Sequence, residues 1–554
     1  MSDLVLGPLL RHISETDATV WVETSEPCEV EVLGCRERTF RVDGHHYALV
    51  CIEGLEPASR YEYEVRLDGE VRWPEPGSEL PPSAIRTTNA DRELDICFGS
   101  CRVAVPHEAP FTEPKDETEM GHEVDALWVL ARQMAAGERD DWPELLFLLG
   151  DQVYVDEGSP KTREKIRQRR GTATPPGDEV TDFEEYTWLY QESWEEPLIR
   201  WLFSNVAVSM LWDDHDMSDD WNISYSWLEE MRERSWWHRR AVGCIASYWI
   251  YQHLGNLSPR ELAEDELYQR VRGNQWAEEE LFAWAQRIDS TGAGTRWSFC
   301  RDFGRTRAIF IDSRAGRVLE EDRRAIVDDE EWEWIVDKTT GDFDHLLIAT
   351  TVPWLLSPAF DRLEAWDEKV ADGAWGKPLA RAAELLRREV DFDHWAAFGE
   401  SFAKLRDLLR EVASGERGKA PASIVVLSGD VHHAYLCEAA YPKANGKTAG
   451  PRPARSPIYQ AVCSPYRNPL DENERRVVRA AFRRPAIAFA RLLARAAGAP
   501  DPGIRWRALD GPFFDNQVAT LELDGRAATM RLDKTVPGED GTDALEESFS
   551  RRLA

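Results

Sequence analysis

The sequence predicts an α/β fold preceded by a small all-β region, on three observations. Residues 4–88 alternate apolar and polar side chains at period two between closely spaced turn residues, as half-buried strands do. From Glu93 onward, short continuously apolar runs alternate with helical periodicity, the order of strands covered on both faces. The apolar runs end in clusters of Asp, His, Tyr, Cys and Arg, where open α/β sheets collect their ligands.

In chain order, strands are expected at 18–23, 29–33, 47–52 and 61–67, with a last one at 83–88, making residues 1–90 a β-sandwich. The stretch from Leu55 through Pro57 to Tyr61 and Tyr63 resembles the Leu-x-Pro turn and tyrosine-bearing strand of fibronectin III and immunoglobulin-like domains. Beyond it, strands are expected at 94–98, 145–149, 206–211, 308–311, 346–350 and 424–427. Helices are expected at 123–136, 228–253 and 395–412 within a catalytic region spanning 91–536. Two insertions stand out. Residues 158–180 are charged and contain Pro175-Pro176-Gly177, which reads as an exposed loop; 475–495, within 470–500, is an Arg-rich amphipathic surface or lid helix interrupted at Pro485. Residues 537–554 read as an acidic, frayed tail.

Bulk properties exclude several function classes. At 554 residues the chain is large enough for more than one core and a buried site. Its 67 basic against 101 acidic residues give a net charge of −34, which disfavours non-specific nucleic-acid binding and demands a local cation for any anionic substrate. The nine cysteines show no paired spacing, so reduced thiols and a cytoplasmic setting are expected. The first twelve residues lack a basic leader and an apolar core, and no apolar run approaches spanning length, so no membrane span is expected.

The chemistry concentrates in five clusters. Gly99-Ser100-Cys101-Arg102 follows the first strand of the α/β region, its glycine permitting a turn that aims thiol and guanidinium into one crevice. A lone cysteine at a strand end is more often a packed small hydrophobe than a ligand. Gly150-Asp151-Gln152-Val153-Tyr154 follows the second, a carboxylate and a phenol able to reach one centre unless Tyr154 only packs. The densest is Trp212-Asp213-Asp214-His215-Asp216 with Asp219 and Asp220, whose carboxylates repel one another unless cations hold them together. Those acids raise the pKa of His215, suiting it to donate a proton near neutrality. Asp312-Ser-Arg314-Ala-Gly-Arg317 offers guanidinium groups that either hold phosphate oxygens or pair with neighbouring acids. Ser428-Gly429-Asp430-Val431-His432-His433 sets a carboxylate and an imidazole two apart, on one side of the chain.

This ordered motif set resembles the PhoD-like alkaline phosphatases, a branch of the calcineurin-like and purple-acid metallophosphoesterases, and a leading β-sandwich is typical of that family. The resemblance implies a layered sandwich of mixed sheets and covering helices with two metal ions. Asp151 bridges them, Cys101, Tyr154 and His432 lean toward one, and Asp214 and Asp430 toward the other. His215 sits where the family's leaving-group proton donor lies. Phenolate and carboxylate beside one thiolate suit Fe(III) at the first position; a carboxylate-rich second position suits Ca, Mn, Zn or Mg. Two departures from the broader pattern stand out: Gly-Ser-Cys replaces an opening Asp-x-His, and Thr351-Val352-Pro353 replaces a His before x-Pro.

The expected function is hydrolysis of a small phosphate ester, a monoester or a diester, by a metal-activated hydroxide, with Arg102 or Arg314 steadying the phosphoryl group and His215 protonating the leaving alkoxide. The rivals are a non-catalytic metal-stabilised scaffold and a metal-dependent hydrolase of a non-phosphate ester or amide. A structural calcium site gains little from Cys101, His215 and His432, and an amidase gains little from Arg314.

Overall fold

The computed structural model describes residues 2–89, 93–274, 277–292, 294–320, 323–442, 452–538 and 542–554. At the N-terminus, strands Leu4–Ile13, Asp17–Thr24, His45–Glu53 and Phe40–Val42 form one antiparallel sheet. Cys35–Arg38, Glu29–Val32, Val65–Leu67 and Glu70–Trp73 form a second. The expected strand at 61–67 is two strands, because the chain changes sheets there: Arg60–Glu62 pairs with Ala84–Arg86, whereas Val65–Leu67 pairs with Glu29–Val32.

This all-β region is fastened to the rest by buried polar contacts. The buried Arg11 guanidinium donates to the carbonyls of Val208, Tyr251 and Gln252 and to Asn256 Oδ1 at 2.8–3.1 Å. The Tyr63 hydroxyl donates to the Ser204 carbonyl at 2.7 Å. Val208 lies in a strand that leads straight into the Asp213–Asp216 cluster, so the β region braces the element that carries it.

Two mixed sheets form the α/β region. In the first, Ala207–Leu211, Leu145–Leu149 and Leu94–Gly99 run parallel, followed by antiparallel Gln517–Asp524, Ala527–Val536 and Ala544–Arg552. The second runs Phe299–Phe303, Thr306–Ile311, His345–Thr350, Ser423–Ser428, Ile458–Val462, Ala434–Ala440 and Arg505–Phe513. Period-two alternation assigns its faces: Ala308, Phe310, Leu347 and Val425 join the core shared with the first sheet. Ile309, Ile311, Ile348 and Val426 pack with Leu405, Leu409 and Val412 of the helix Gly399–Ser414. Burial on both faces is why these strands read as continuous apolar runs.

Three expectations are corrected. Within 158–180, Pro160–Arg170 is a helix, capped by Ser159, whose hydroxyl accepts from the amides of Lys161 and Thr162. The helix expected at 228–253 is broken into Tyr225–Arg232 and Trp237–Tyr248, and ends in a π-turn, Trp249–His253, two of whose carbonyls are those taken by Arg11. The segment read as a frayed tail contains the strand Ala544–Arg552, paired along Ala527–Val536 at the edge of the first sheet. Pro485 divides 475–495 into two helices, Glu472–Ala481 and Arg484–Ala496. They pack on Pro358–Ala371 through Ala481, Ala490 and Ala359.

Candidate metal centre

The carboxyl ends of the parallel strands of both sheets converge. The Asp430 amide donates to Ser100 Oγ at 2.9 Å and the Gly429 amide to the Thr351 carbonyl at 2.8 Å, stitching three strand ends together. A Cβ on Gly429 would lie 2.1 Å from Ser100 Oγ, so only glycine permits that approach.

Four of the six expected metal-ligating residues sit in left-handed backbone: Cys101 (φ 58°), Asp151 (49°), Asp430 (67°) and His432 (49°). Such conformations cost about 1–3 kcal/mol each and persist where the surroundings over-determine them, as at functional sites. Here they turn the side chains back across the strand ends. Cys101 Sγ lies 3.3 Å and Tyr154 Oη 3.4 Å from the same oxygen, Asp151 Oδ2. Asp151, Asp213 and Asp214 each offer a carboxylate oxygen, all within 4.8 Å of one another. Asp151 Oδ1 and Asp213 Oδ2 are buried without a hydrogen-bond partner. Asp430 and His432 face the same cleft as Asp151, Asp214 and His215.

The electrostatics are those of a site short of positive charge. Burial, reinforced by Asp214, Asp216 and Asp430 and opposed by His215, pushes the Asp151 carboxyl well above its ordinary range. Burial, with Asp151 and Asp430, does the same to the Cys101 thiol, and burial, with Cys101 and Asp151, to the Tyr154 phenol. Orphaned carboxylate oxygens and donors whose anions are disfavoured until a cation arrives fit a bound metal.

Arg314 is a buried guanidinium at the heart of the cluster. It pairs with Asp213 and Asp393, donates to Asp430 Oδ1 at 3.1 Å and lies 3.4 Å from Asp214 Oδ1. With only 1% of its side chain exposed, it is engaged with these acids, one of the two pairings the sequence leaves open for it, while it also lines the cleft. Arg317 likewise pairs with Asp393, donating to its side chain at 3.1 Å and to its carbonyl at 2.8 Å. Arg102 is placed away from these acids: it donates to Asp125 Oδ2 at 2.8 Å and to the Ser193 carbonyl at 2.7 Å, beside a separate cavity.

His215 lines the cleft beside Asp151 and Asp214. Its Nδ1 lies 3.0 Å from Asp156 Oδ1 and its ring 4.6 Å from that of Tyr154, while it borders the cleft. Burial disfavours its cation, yet Asp156, Asp214 and Asp151 outweigh that and hold its pKa well above the usual value. His432, half-buried, is pushed down to about 3 by desolvation and the charge of His215, which leaves a neutral imidazole.

Sequence reasoning missed four participants. Asp213 was read as part of the acidic run, without a separate role. Asp156 orients His215. Asp393 and His394 come from a stretch without any motif; His394 bridges Glu364 (2.6 Å) and Asp430 Oδ2 (3.0 Å). The signal for Asp213 was Gly150, whose φ of 115° and a Cβ position 2.8 Å from Asp213 Cβ require glycine.

Residues 126–273 match the family described as PhoD-like phosphatase. The matched residues include Asp151, Tyr154, Asp214 and His215; Cys101, Arg314, Asp430 and His432 lie outside the match and reach the centre through the fold. Residues 1–85 match a domain of unknown function, DUF7800. No curated protein matches the chain. A solved structure titled "Structure of PhoD" is similar with a TM-score of 0.56 at 13% identity, covering 99% of this chain and 92% of that one, a likeness of fold.

Proposed function

We propose that the protein is a metal-dependent phosphoric ester hydrolase with a two-cation centre at the cleft floor. The observation that carries this reading is the convergence of donors from separate strand ends, several in left-handed backbone, around the unpartnered oxygens of Asp151 and Asp213. In this reading Asp151 would be shared between the two cations, Cys101, Tyr154 and His432 would hold one, suited to Fe(III), and Asp214 and Asp430 would hold the other, suited to Ca, Mn, Zn or Mg. Asp213 joins them as a donor or a close neighbour. The chemistry such cations supply when bound is activation of water and neutralisation of charge on phosphoryl oxygens.

The chain's own residues do the rest. Asp156 holds His215 Nδ1, so the opposite ring nitrogen, Nε2, is the one that gives its proton to the departing alkoxide, and the Asp156 carboxylate stabilises the imidazolium beforehand. Arg314 pairs with Asp213 and Asp430 and lies beside Asp214, which holds these carboxylates in position at the floor. Residues 1–90 act as a brace for a catalytic region spanning 91–536. Among the described residues no helix is long and apolar enough to cross a membrane.

The test compares chelated and metal-reloaded protein on bis(p-nitrophenyl) phosphate, p-nitrophenyl phosphate, p-nitrophenyl acetate and an anilide. Metal-dependent release from a phosphate ester is expected. Release from the acetate or anilide alone, or from none of them, contradicts the proposal.

A further inference from the structure

The floor of the cleft is charged, and much of its wall is apolar. The cleft, about 800 Å³, continues from Asp151, Asp214, His215 and His432 up between Phe360, Leu363 and Trp366 of the helix Pro358–Ala371 and Val477 and Val478 of the helix Glu472–Ala481. Val390 adds to the rim. These walls are built elements: the helices Pro358–Ala371 and Glu472–Ala481 meet through Ala359 and Ala481 in a small core that also holds Ala490. At the rim, Val390 and Val477 stay 41% and 57% exposed. Glu474, a polar residue on the same wall, is spent on the Asp471 amide in the helix cap. Apolar surface continuous with a charged floor matches a ligand with one anionic and one apolar end.

We propose that the cleft selects phosphate esters bearing an alkyl or aryl arm, which lies against Phe360, Leu363, Trp366, Val477 and Val478 while the phosphoryl group sits over Asp151 and Asp214. This rests on the phosphoesterase reading of the floor. A sugar or nucleoside arm leaves its hydroxyls facing apolar walls without partners and is disfavoured.

The test uses methyl, butyl and octyl p-nitrophenyl phosphate diesters, each below its micelle concentration. In every member water adds to phosphorus, the phosphorus–oxygen bond to the aryl group breaks, and p-nitrophenolate leaves, so only the arm differs. In parallel, calorimetry measures the Kd of methyl-, butyl- and octylphosphonate. Burial of methylenes is worth up to about fourfold each, so kcat/KM is expected to rise at least about tenfold from methyl to butyl and again to octyl, with phosphonate Kd falling alongside. Val477→Asp, at an exposed rim position, is expected to lower the octyl-to-methyl ratio, and Val477→Thr to lower it less. Turnover that is flat across the series, with flat phosphonate affinity, overturns the inference and leaves the phosphoesterase reading standing. Chain-length-dependent phosphonate binding without turnover of any ester overturns that reading, and the substrate assignment with it.

Discussion

Arg314 and Asp430 hold each other across the cleft floor: Arg314 Nη2 donates to Asp430 Oδ1 at 3.1 Å, while Asp430 Oδ2 accepts from His394 Nε2 at 3.0 Å. Burial alone would raise the Asp430 pKa, but His394 and Arg314 together drive it below the ordinary carboxylate range. Asp430 is thereby kept ionised and fixed in direction, as a metal ligand must be.

Removing the guanidinium leaves several buried carboxylates uncompensated. Arg314→Met is expected to lower stability by about 3–5 kcal/mol in chemical denaturation, with Arg314→Lys recovering only part. A loss below about 1 kcal/mol in Arg314→Met shows that the carboxylates do not depend on it.

His215→Ala is expected to retain metal and to lower kcat by about 10²–10⁴ on esters with poor leaving groups, with little loss on p-nitrophenyl esters. Asp156→Asn, which removes the charge that orients and charges the imidazole, is expected to show the same leaving-group dependence at smaller amplitude. Steady-state kinetics across leaving groups reads both; a uniform loss on every ester assigns His215 to binding instead.

Gly150→Ala forces a side chain into a backbone angle of +115° and against Asp213. A cost of about 2–4 kcal/mol is expected from strain and overlap. Because the overlap is with a carboxylate of the centre, elemental analysis is expected to show fewer metals per chain than in the parent.

His45 links the β region to the helix Phe183–Trp194, lying 2.8 Å from Glu23 and 2.9 Å from Glu184. Burial opposes its cation, but the hydrogen bonds and charges of Glu184 and Glu23 prevail and raise its pKa from 6.5 to about 9. Since the folded value is the higher one, its contribution is complete below about pH 6.5 and is lost as pH rises through about 9. Urea unfolding at pH 6 and pH 9.5 is expected to differ by on the order of 1–3 kcal/mol from this residue, and His45→Ala to remove that difference.

The parallel strands were legible because burial on both faces writes continuous apolar runs: Leu145–Leu149 coincides with its expected span, and Ala207–Leu211 differs by one residue. Cys101, Asp151, Tyr154, Asp214 and Asp430 were legible because strand ends deliver side chains to one crevice. What was not legible depended on distant partners. Nothing local in Arg314 tells that four acids from three other segments surround it, or that Arg102 turns to Asp125. His394 has no motif about it and is placed only by the packing of Glu364 and Asp430. Ala544–Arg552 hid its strand because Glu546 and Glu547 face outward along a sheet edge, leaving Leu545 and Phe549 as its only large apolar residues.

The most direct test is the metal content of parent protein and Asp151→Asn, purified together and counted by inductively coupled plasma mass spectrometry. The parent is expected to carry about two metals per chain, iron among them, and Asp151→Asn close to none. Equal metal content in both proteins, or a parent that takes up no transition metal after anaerobic reloading, contradicts a two-cation centre built on Asp151.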